Sequence, residues 1–274
     1  MNVKKVLNEI GLHPSKELGQ NFLISEEIAE RIVEAAEICN KDVVVEVGPG
    51  LGILTTFLIE KGAKLYAIER DSKLCEFLAK KFNYGISLIL GDILEINLSK
   101  LAHGRALKIV SNLPYSITNA FLFYILKYRS SIISCTITVQ KEVAEKCVAQ
   151  VGTKAYGPIS IFLQYYADTK ILFPIPAKFF YPKPEVSGML LNLKFRKPLY
   201  DLNDERLFFR IIKGSFSKRR KMLKNSLGLT CDRMGDIDLN RRPETLSIGE
   251  FCQLANYLYF KHVRGIGNST NNYC

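Results

Sequence analysis

The sequence predicts an α/β fold, a parallel sheet flanked by helices, followed by a small all-helical C-terminal domain. Three observations carry this. From Ile28 to about Leu172, helix-like and strand-like segments alternate, as crossovers between parallel strands require. After Phe195 the apolar positions fall at helical spacing instead. The charge also shifts: residues 1–182 hold 21 Lys/Arg against 18 Asp/Glu, whereas residues 183–264 hold 17 against 9. The 274 residues carry a net charge of +11, so the basic third points to a polyanionic partner, with a solvated basic face as the alternative.

The elements follow in order. Ile28, Ile32, Val33 and Ala36 lie on one helix face, with Ser25 as N-cap and Glu26 and Glu27 in the first turn. Val43 to Val47 is a buried strand ending in a glycine loop, Ile53 to Glu60 a helix, and Lys64 to Glu69 the next strand. Asp71 caps a helix through Leu74, Phe77 and Leu78. Ile86 to Leu90, Ile109 to Ser111 and Ile132 to Val139 are further strands. Lys170 to Ile175 and Met189 to Phe195 form an antiparallel pair at the sheet edge. Leu207, Phe208, Ile211 and Ile212 make the stripe of a later helix, and Ser247-Ile248-Gly249-Glu250 reads as a capping box before the last one. The expected boundaries are 1–196 for the first domain, 197–264 for the helical one and 265–274 for a tail.

Several function classes are disfavoured. MNVKKVLNEIGLH has no apolar stretch after its lysines, and no apolar run approaches the ~18 residues of a span, so a cytoplasmic protein without a membrane partner is expected. Seven cysteines without a C-x-x-C pair read as reduced thiols. His13, His103 and His262 are far apart, so no metal site is expected.

The strongest local signal is Glu46-Val47-Gly48-Pro49-Gly50-Leu51-Gly52, a strand opening into glycines before a helix. Gly48 and Gly50 let backbone approach a ligand, and Glu69 ends the next strand, where a carboxylate can accept both ribose hydroxyls of an adenosine cofactor. Position 53 is Ile, so the spacing is G-x-G-x-G rather than the dinucleotide fingerprint. That suits S-adenosyl-L-methionine, which has no pyrophosphate, and disfavours a nicotinamide oxidoreductase. Asp92 after the third strand can accept from an adenine amino group, or be a surface-turn residue.

Asn112-Leu113-Pro114-Tyr115 closes the fourth strand at the carboxyl edge of the sheet. A purine's exocyclic amine is a poor nucleophile because its lone pair is delocalised into the ring. The Asn112 side-chain oxygen and the Pro114 carbonyl could hold its protons and turn the lone pair out of plane, while Tyr115 stacks on the base. Proximity and orientation then supply most of the rate, with no strong base required.

With these motifs in place, the chain resembles the ribosomal RNA adenine N6,N6-dimethyltransferase family of the kasugamycin-resistance type. The shared blocks are LGQNFL, EVGPGLGILT, AIERD, GD, NLPYSIT, VQKEVAE, KAYGPIS, FYPKPEV and FSKRRKMLKNSLG. The resemblance implies a Rossmann-like class I methyltransferase sheet with a helical C-terminal domain. It implies methylation of two adjacent adenosines in a hairpin loop near the 3′ end of small-subunit ribosomal RNA, in a partly assembled subunit, by a monomer. It also implies that Asn21, Leu23, Gly48, Glu69, Asp92 and Asn112 contact the cofactor, with Gln20-Asn21-Phe22 as a lid. Asn112, Pro114 and Tyr115 become the catalytic motif and Phe180 the second stacking face, although Phe179-Phe180-Tyr181 also reads as core. Arg219, Arg220, Lys221 and Asn225 suit phosphate contacts, with a solvated face as the alternative. The large-subunit methylases of macrolide resistance share QNFL and Asn-x-Pro-Tyr but typically lack the RRKxxxNSL helix. A non-catalytic RNA-binding protein on this fold would show degraded cofactor residues. Gly188 and Pro158 depart from the family pattern, and both are expected to affect local RNA contacts only, away from the catalytic set.

Overall fold

The structure, a computed structural model, describes residues 3–15, 19–218 and 220–263. It divides into two compact units, one running to Glu145 and including Ala167–Arg196, the other made of Lys146–Tyr166 and the chain from Lys197 onward. A single cut at residue 196 therefore differs from the observed division, which gives residues 146–166 to the second unit.

The first unit begins with α1 (Val3–Glu9), β1 (Phe22–Leu23), α2 (Glu26–Ala35), β2 (Val43–Val47), α3 (Ile53–Glu60) and β3 (Lys64–Glu69). It continues through α4 (Ser72–Lys81), β4 (Ile86–Leu90), α5 (Leu98–Ala102), β5 (Leu107–Asn112), α6 (Thr118–Lys127) and β6 (Ile132–Gln140), which leads into α7 (Lys141–Cys147). After α8 (Pro158–Tyr166) the chain returns as β7 (Ala167–Ile175), β8 (Phe180–Tyr181) and β9 (Gly188–Phe195).

Seven strands form one sheet in the order β4-β3-β2-β5-β6-β9-β7. β4 through β6 run parallel, while β9 is antiparallel to both β6 and β7. All five residues of β2 are buried, as a central strand covered on both faces requires. Helix α2 starts where Ser25 Oγ accepts the Ile28 N–H at 3.3 Å and buries Ile28, Ala29, Ile32 and Val33. Each large side chain on that stripe contributes about 1.5–3 kcal/mol by leaving water. Asp71 caps α4 by accepting the Lys73 and Leu74 N–H groups at 2.9 and 3.2 Å. From β2 the chain crosses to β3 on one side, and β5 lies on the other, so a crevice opens beyond the carboxyl ends of β2 and β5.

A second, two-stranded ladder pairs β1 with β8, Phe22 opposite Tyr181 and Leu23 opposite Phe180. The Ile24 N–H extends it by donating to the Phe179 carbonyl at 2.9 Å.

In the second unit, α8 opens on Pro158, a residue suited to the first helical position, where the N–H would be unpaired anyway. Its aromatic residues pack on α9 (Glu205–Phe216): Phe162 stacks on Phe209 at 4.2 Å between centroids, and Tyr165 meets Phe208 at 5.0 Å. These contacts are the physical reason that 146–166 groups with the later helices. Next come α10 (Leu223–Leu227), β10 (Arg233–Met234), β11 (Ile237–Asp238) and α11 (Ile248–Val263). The β10–β11 hairpin adds a short ladder to a unit expected to be all helical. The capping box at α11 is reciprocal: Ser247 N–H donates to Glu250 Oε2 at 2.7 Å, and Glu250 N–H to Ser247 Oγ at 3.2 Å.

Candidate functional site

At the end of β2, Gly48, Gly50 and Gly52 all have positive φ (63°, 59° and 77°), so the loop folds tightly enough to leave backbone facing the crevice. Glu69, at the end of β3 and 6% exposed, holds this loop in place. Its Oε2 accepts the Gly50 N–H at 3.2 Å, and its Oε1 accepts the Arg70 and Asp71 N–H groups at 2.8 and 2.9 Å. Burial raises its pKa, and these backbone donors partly offset that rise. The carboxylate thus has a structural task besides any ribose contact. Asp92 is similarly engaged: Oδ1 accepts the Leu94 N–H at 2.9 Å, and Oδ2 lies 3.5 Å from Arg70 Nη1.

Two pockets adjoin here and share Gln20, Gly48, Glu69 and Pro114 among their lining residues. One reaches Asn21, Leu23, Glu46 and Asn112, the other Asp71, Gly91 and Asp92. Glu46, a carboxylate inside an otherwise apolar strand, lines the first of these pockets. It is fully buried. Its Oε2 accepts the Thr55 hydroxyl at 2.7 Å, whereas Oε1 has no partner among the described residues. Burial pushes its carboxyl up to about 8.

Asn112 ends β5 with its side-chain Nδ2 donating to the main-chain carbonyl of Asn21 at 2.9 Å. That bond fixes the amide plane and leaves Oδ1 as an acceptor. Pro114 differs from the expectation that its carbonyl stands free to hold an amine. That oxygen already accepts the Ile117 N–H at 3.2 Å, closing a 3₁₀ turn, and the Thr118 hydroxyl at 3.3 Å. A carbonyl has two lone pairs, so it is available to a ligand only when Thr118 turns its hydroxyl away.

Tyr115 is half-buried, and burial pushes its phenol up to about 12. Phe180, expected as a stacking face, is 3% exposed and lies in the core with Leu23, Ile175 and Leu190. Gly188, expected to stand away from the catalytic set, is instead beside it: a Cβ there would lie 3.5 Å from both Tyr115 Oη and Phe180 Cζ. The β9 register, which has no sequence signal of its own, brings it there. In the second unit Arg220, Lys221 and Asn225 are exposed, while Arg219 lies outside the described residues. Lys224 pairs with Asp232 at 2.6 Å, so part of the local acidity is already matched.

The profile of the family described as ribosomal RNA adenine dimethylase matches residues 12–259. The chain belongs to that family. Membership makes it an enzyme, a methyltransferase acting on ribosomal RNA adenine. Relatives agree along nearly the full length. "Ribosomal RNA small subunit methyltransferase A" of Clostridium botulinum (strain Okra / Type B1) is 39% identical, covering 94% of this chain and 99% of the relative. The protein of the same name from Clostridium acetobutylicum is 35% identical, covering 94% and 98%. Among solved structures, a dimethyladenosine transferase from Plasmodium falciparum superposes with a TM-score of 0.76 at 20% identity, covering 89% of this chain and 98% of that one. The 23S rRNA methyltransferase ErmE gives 0.67 at 21%, covering 85% and 99%. At those identities the two structures establish the class I methyltransferase fold of this enzyme and nothing finer. Among its described residues no helix is long and apolar enough to cross a membrane.

Proposed function

We propose that the enzyme transfers methyl groups from S-adenosyl-L-methionine to N6 of two adjacent adenosines in a hairpin loop near the 3′ end of small-subunit ribosomal RNA. The observation that carries this is the Asn112 amide, fixed by the Asn21 carbonyl at the carboxyl edge of the sheet and bordering the pocket that holds Glu46 and Gly48. Relatives named for the small-subunit RNA, matched over almost their whole length, favour that subunit over the large one.

The residues fit the cofactor. The buried, unpartnered Glu46 Oε1 suits its ammonium group, and the Gly48–Gly50 backbone suits close approach of its body. The free lone-pair capacity left on Glu69 suits a ribose hydroxyl, with Asp92 at the adenine end and Asn21 and Leu23 on the lid side. When bound, it supplies a methyl group on a sulfonium, already activated for transfer. The chain's own residues do the rest. Asn112 Oδ1 accepts a hydrogen bond from one N6–H of the target base and draws the amine lone pair out of conjugation. The Pro114 carbonyl accepts one from the other N–H once Thr118 releases it, and the Tyr115 ring bears on the base. Orientation of this kind supplies most of the acceleration. RNA phosphates are held by the basic run from Lys218 to Lys221 and by Asn225, the enzyme acting as a monomer on a partly assembled subunit in the cytoplasm.

The test is incubation of the enzyme with unmodified small and large subunits separately, with methyl-labelled cofactor, followed by nucleoside analysis. N6,N6-dimethyladenosine in small-subunit RNA is expected. Label confined to large-subunit RNA contradicts the choice of subunit, and label in any other nucleoside contradicts the reaction.

A further inference from the structure

Behind the glycine loop stands a cation that the reaction does not use. Lys81 is the last residue of α4, and its Nζ donates to the main-chain carbonyl of Leu51 at 2.9 Å, across 30 positions of sequence. The residue is exposed overall, yet its ammonium is seated 4.9 Å from the centre of the Phe82 ring and 5.9 Å from that of Phe77. Leu51 lies between Gly50 and Gly52, both at positive φ. Glycine adopts either sign of φ with little cost, so the loop's own residues constrain its peptides weakly. Neighbouring elements supply the constraint. Glu69 at the end of β3 accepts the Gly50 N–H at 3.2 Å. The next peptide but one, Leu51–Gly52, is held at both ends: its N–H donates to the Pro49 carbonyl at 2.9 Å within the turn, and its carbonyl accepts from Lys81 on α4.

We propose that Lys81 is a positioning residue for the amino-acid end of the cofactor, holding the Leu51–Gly52 peptide so that the glycine loop keeps its shape against that end. The inference rests on the S-adenosyl-L-methionine reading and deepens it by assigning a residue that the ligand never touches. Lys81 lines neither pocket, so it acts through the loop. Gly50 and Leu51 line the pocket that reaches Glu46 and Asn112, and neither lines the one that reaches Asp92. Loosening this peptide therefore weakens the half of the site that takes the amino acid and spares the half that takes the adenine. A loop already ordered before binding has less freedom to lose when the ligand arrives. Charge works in the same direction. Burial draws the Lys81 pKa down, and the Glu46 and Glu26 carboxylates act against that, so the ammonium and Glu46 sense one another.

The experiment measures the affinity of two probes by calorimetry on full-length wild type, Lys81→Met, Lys81→Gln and Lys81→Arg. S-adenosyl-L-homocysteine carries the amino acid, and 5′-methylthioadenosine has the same nucleoside and sulfur without it. Lys81→Met keeps an aliphatic stem against the two rings and removes the donor. It and Lys81→Gln should weaken S-adenosyl-L-homocysteine about fivefold, the worth of one hydrogen bond, and 5′-methylthioadenosine by no more than about twofold. Lys81→Arg, which still brings a cationic donor to the carbonyl, should recover most of the loss. In turnover, KM for the cofactor should rise about fivefold in Lys81→Met while kcat stays within about twofold. Partial unfolding weakens both probes alike, so the ratio of the two affinities reads positioning even in a less stable variant. A ratio equal to that of wild type in Lys81→Met and Lys81→Gln, or arginine as defective as methionine, overturns the proposal. Failure of wild type to bind S-adenosyl-L-homocysteine would overturn the cofactor reading itself.

Discussion

Asn112 and Asn21 are joined by a single hydrogen bond that spans 91 positions of sequence, from the side-chain amide of one to the main-chain carbonyl of the other. The bond sets which way the Asn112 oxygen points. It also ties the end of β5 to the segment leading into β1, whose partner β8 carries Phe180 and Tyr181. The end of β5, the segment before β1 and the β8 residues Phe180 and Tyr181 are therefore one connected piece.

Asn112→Asp should break this connection. The aspartate has no N–H to donate and sets a carboxylate oxygen against the Asn21 carbonyl. Backbone amide exchange across residues 22–24 should speed up, and turnover should fall at least tenfold. Unchanged exchange in that segment would show that the bond does not hold the lid.

Gly52 begins α3 at φ 77°, and a Cβ there would sit 2.4 Å from the Phe82 ring. Gly52→Ala combines left-handed strain of roughly 1–2 kcal/mol with overpacking of about 1–3 kcal/mol. An unfolding free energy lower by about 2–5 kcal/mol, read from a lower urea midpoint at unchanged m, is expected, with partial rescue by Phe82→Leu. A single mutant as stable as wild type would contradict the close approach.

Glu46 predicts a pH dependence. Its folded carboxyl lies at about 8, above the ordinary 4.5, because burial disfavours the charge. The folded state thus retains a proton that the unfolded chain loses. The stability this brings is fully present below about pH 4.5 and is lost as pH rises through about 8. The slope approaches about 1.4 kcal/mol per pH unit. Glu46→Gln has no such proton, so wild type should lose stability relative to it between pH 5 and 8. Parallel pH profiles would contradict this environment for Glu46.

Much of this was legible in the chain. β2, α3, β3 and β4 have the ends their sequence predicts, because buried parallel strands read as apolar runs and glycines and Asp71 mark the turns. The Asp71 and Ser247 caps were equally local signals. The relationships that pattern could not reveal are long-range. The Phe22–Leu23 ladder with Phe180–Tyr181 has no periodicity, and residues 146–166 join the second unit through aromatic contacts with α9. Glu46 was visible within its motif, yet its solitude is a property of burial. Gly188 meets Tyr115 only through the register of β9, and the Pro114 carbonyl is engaged by a turn that forms only once the chain is folded.

The basic run gives a salt-dependence prediction. Arg220 and Lys221 are exposed, so neither is needed for the core. Changing Arg219, Arg220 and Lys221 together to Gln should weaken RNA binding uniformly and reduce its log–log salt slope by roughly 0.7–0.9 per contact, about two units in all. Cofactor affinity should not change. Parallel salt slopes for wild type and mutant would favour a merely solvated face.

Orientation of the amine by Asn112 is tested most directly by single-turnover methyl transfer with Asn112→Ala, RNA and cofactor affinities being measured separately. Loss of one positioned partner of this kind lowers rate ~10²–10³-fold. The expected result is a drop of that size at saturating cofactor, with particle affinity within about threefold of wild type. A transfer rate within threefold of wild type would contradict the orientation mechanism.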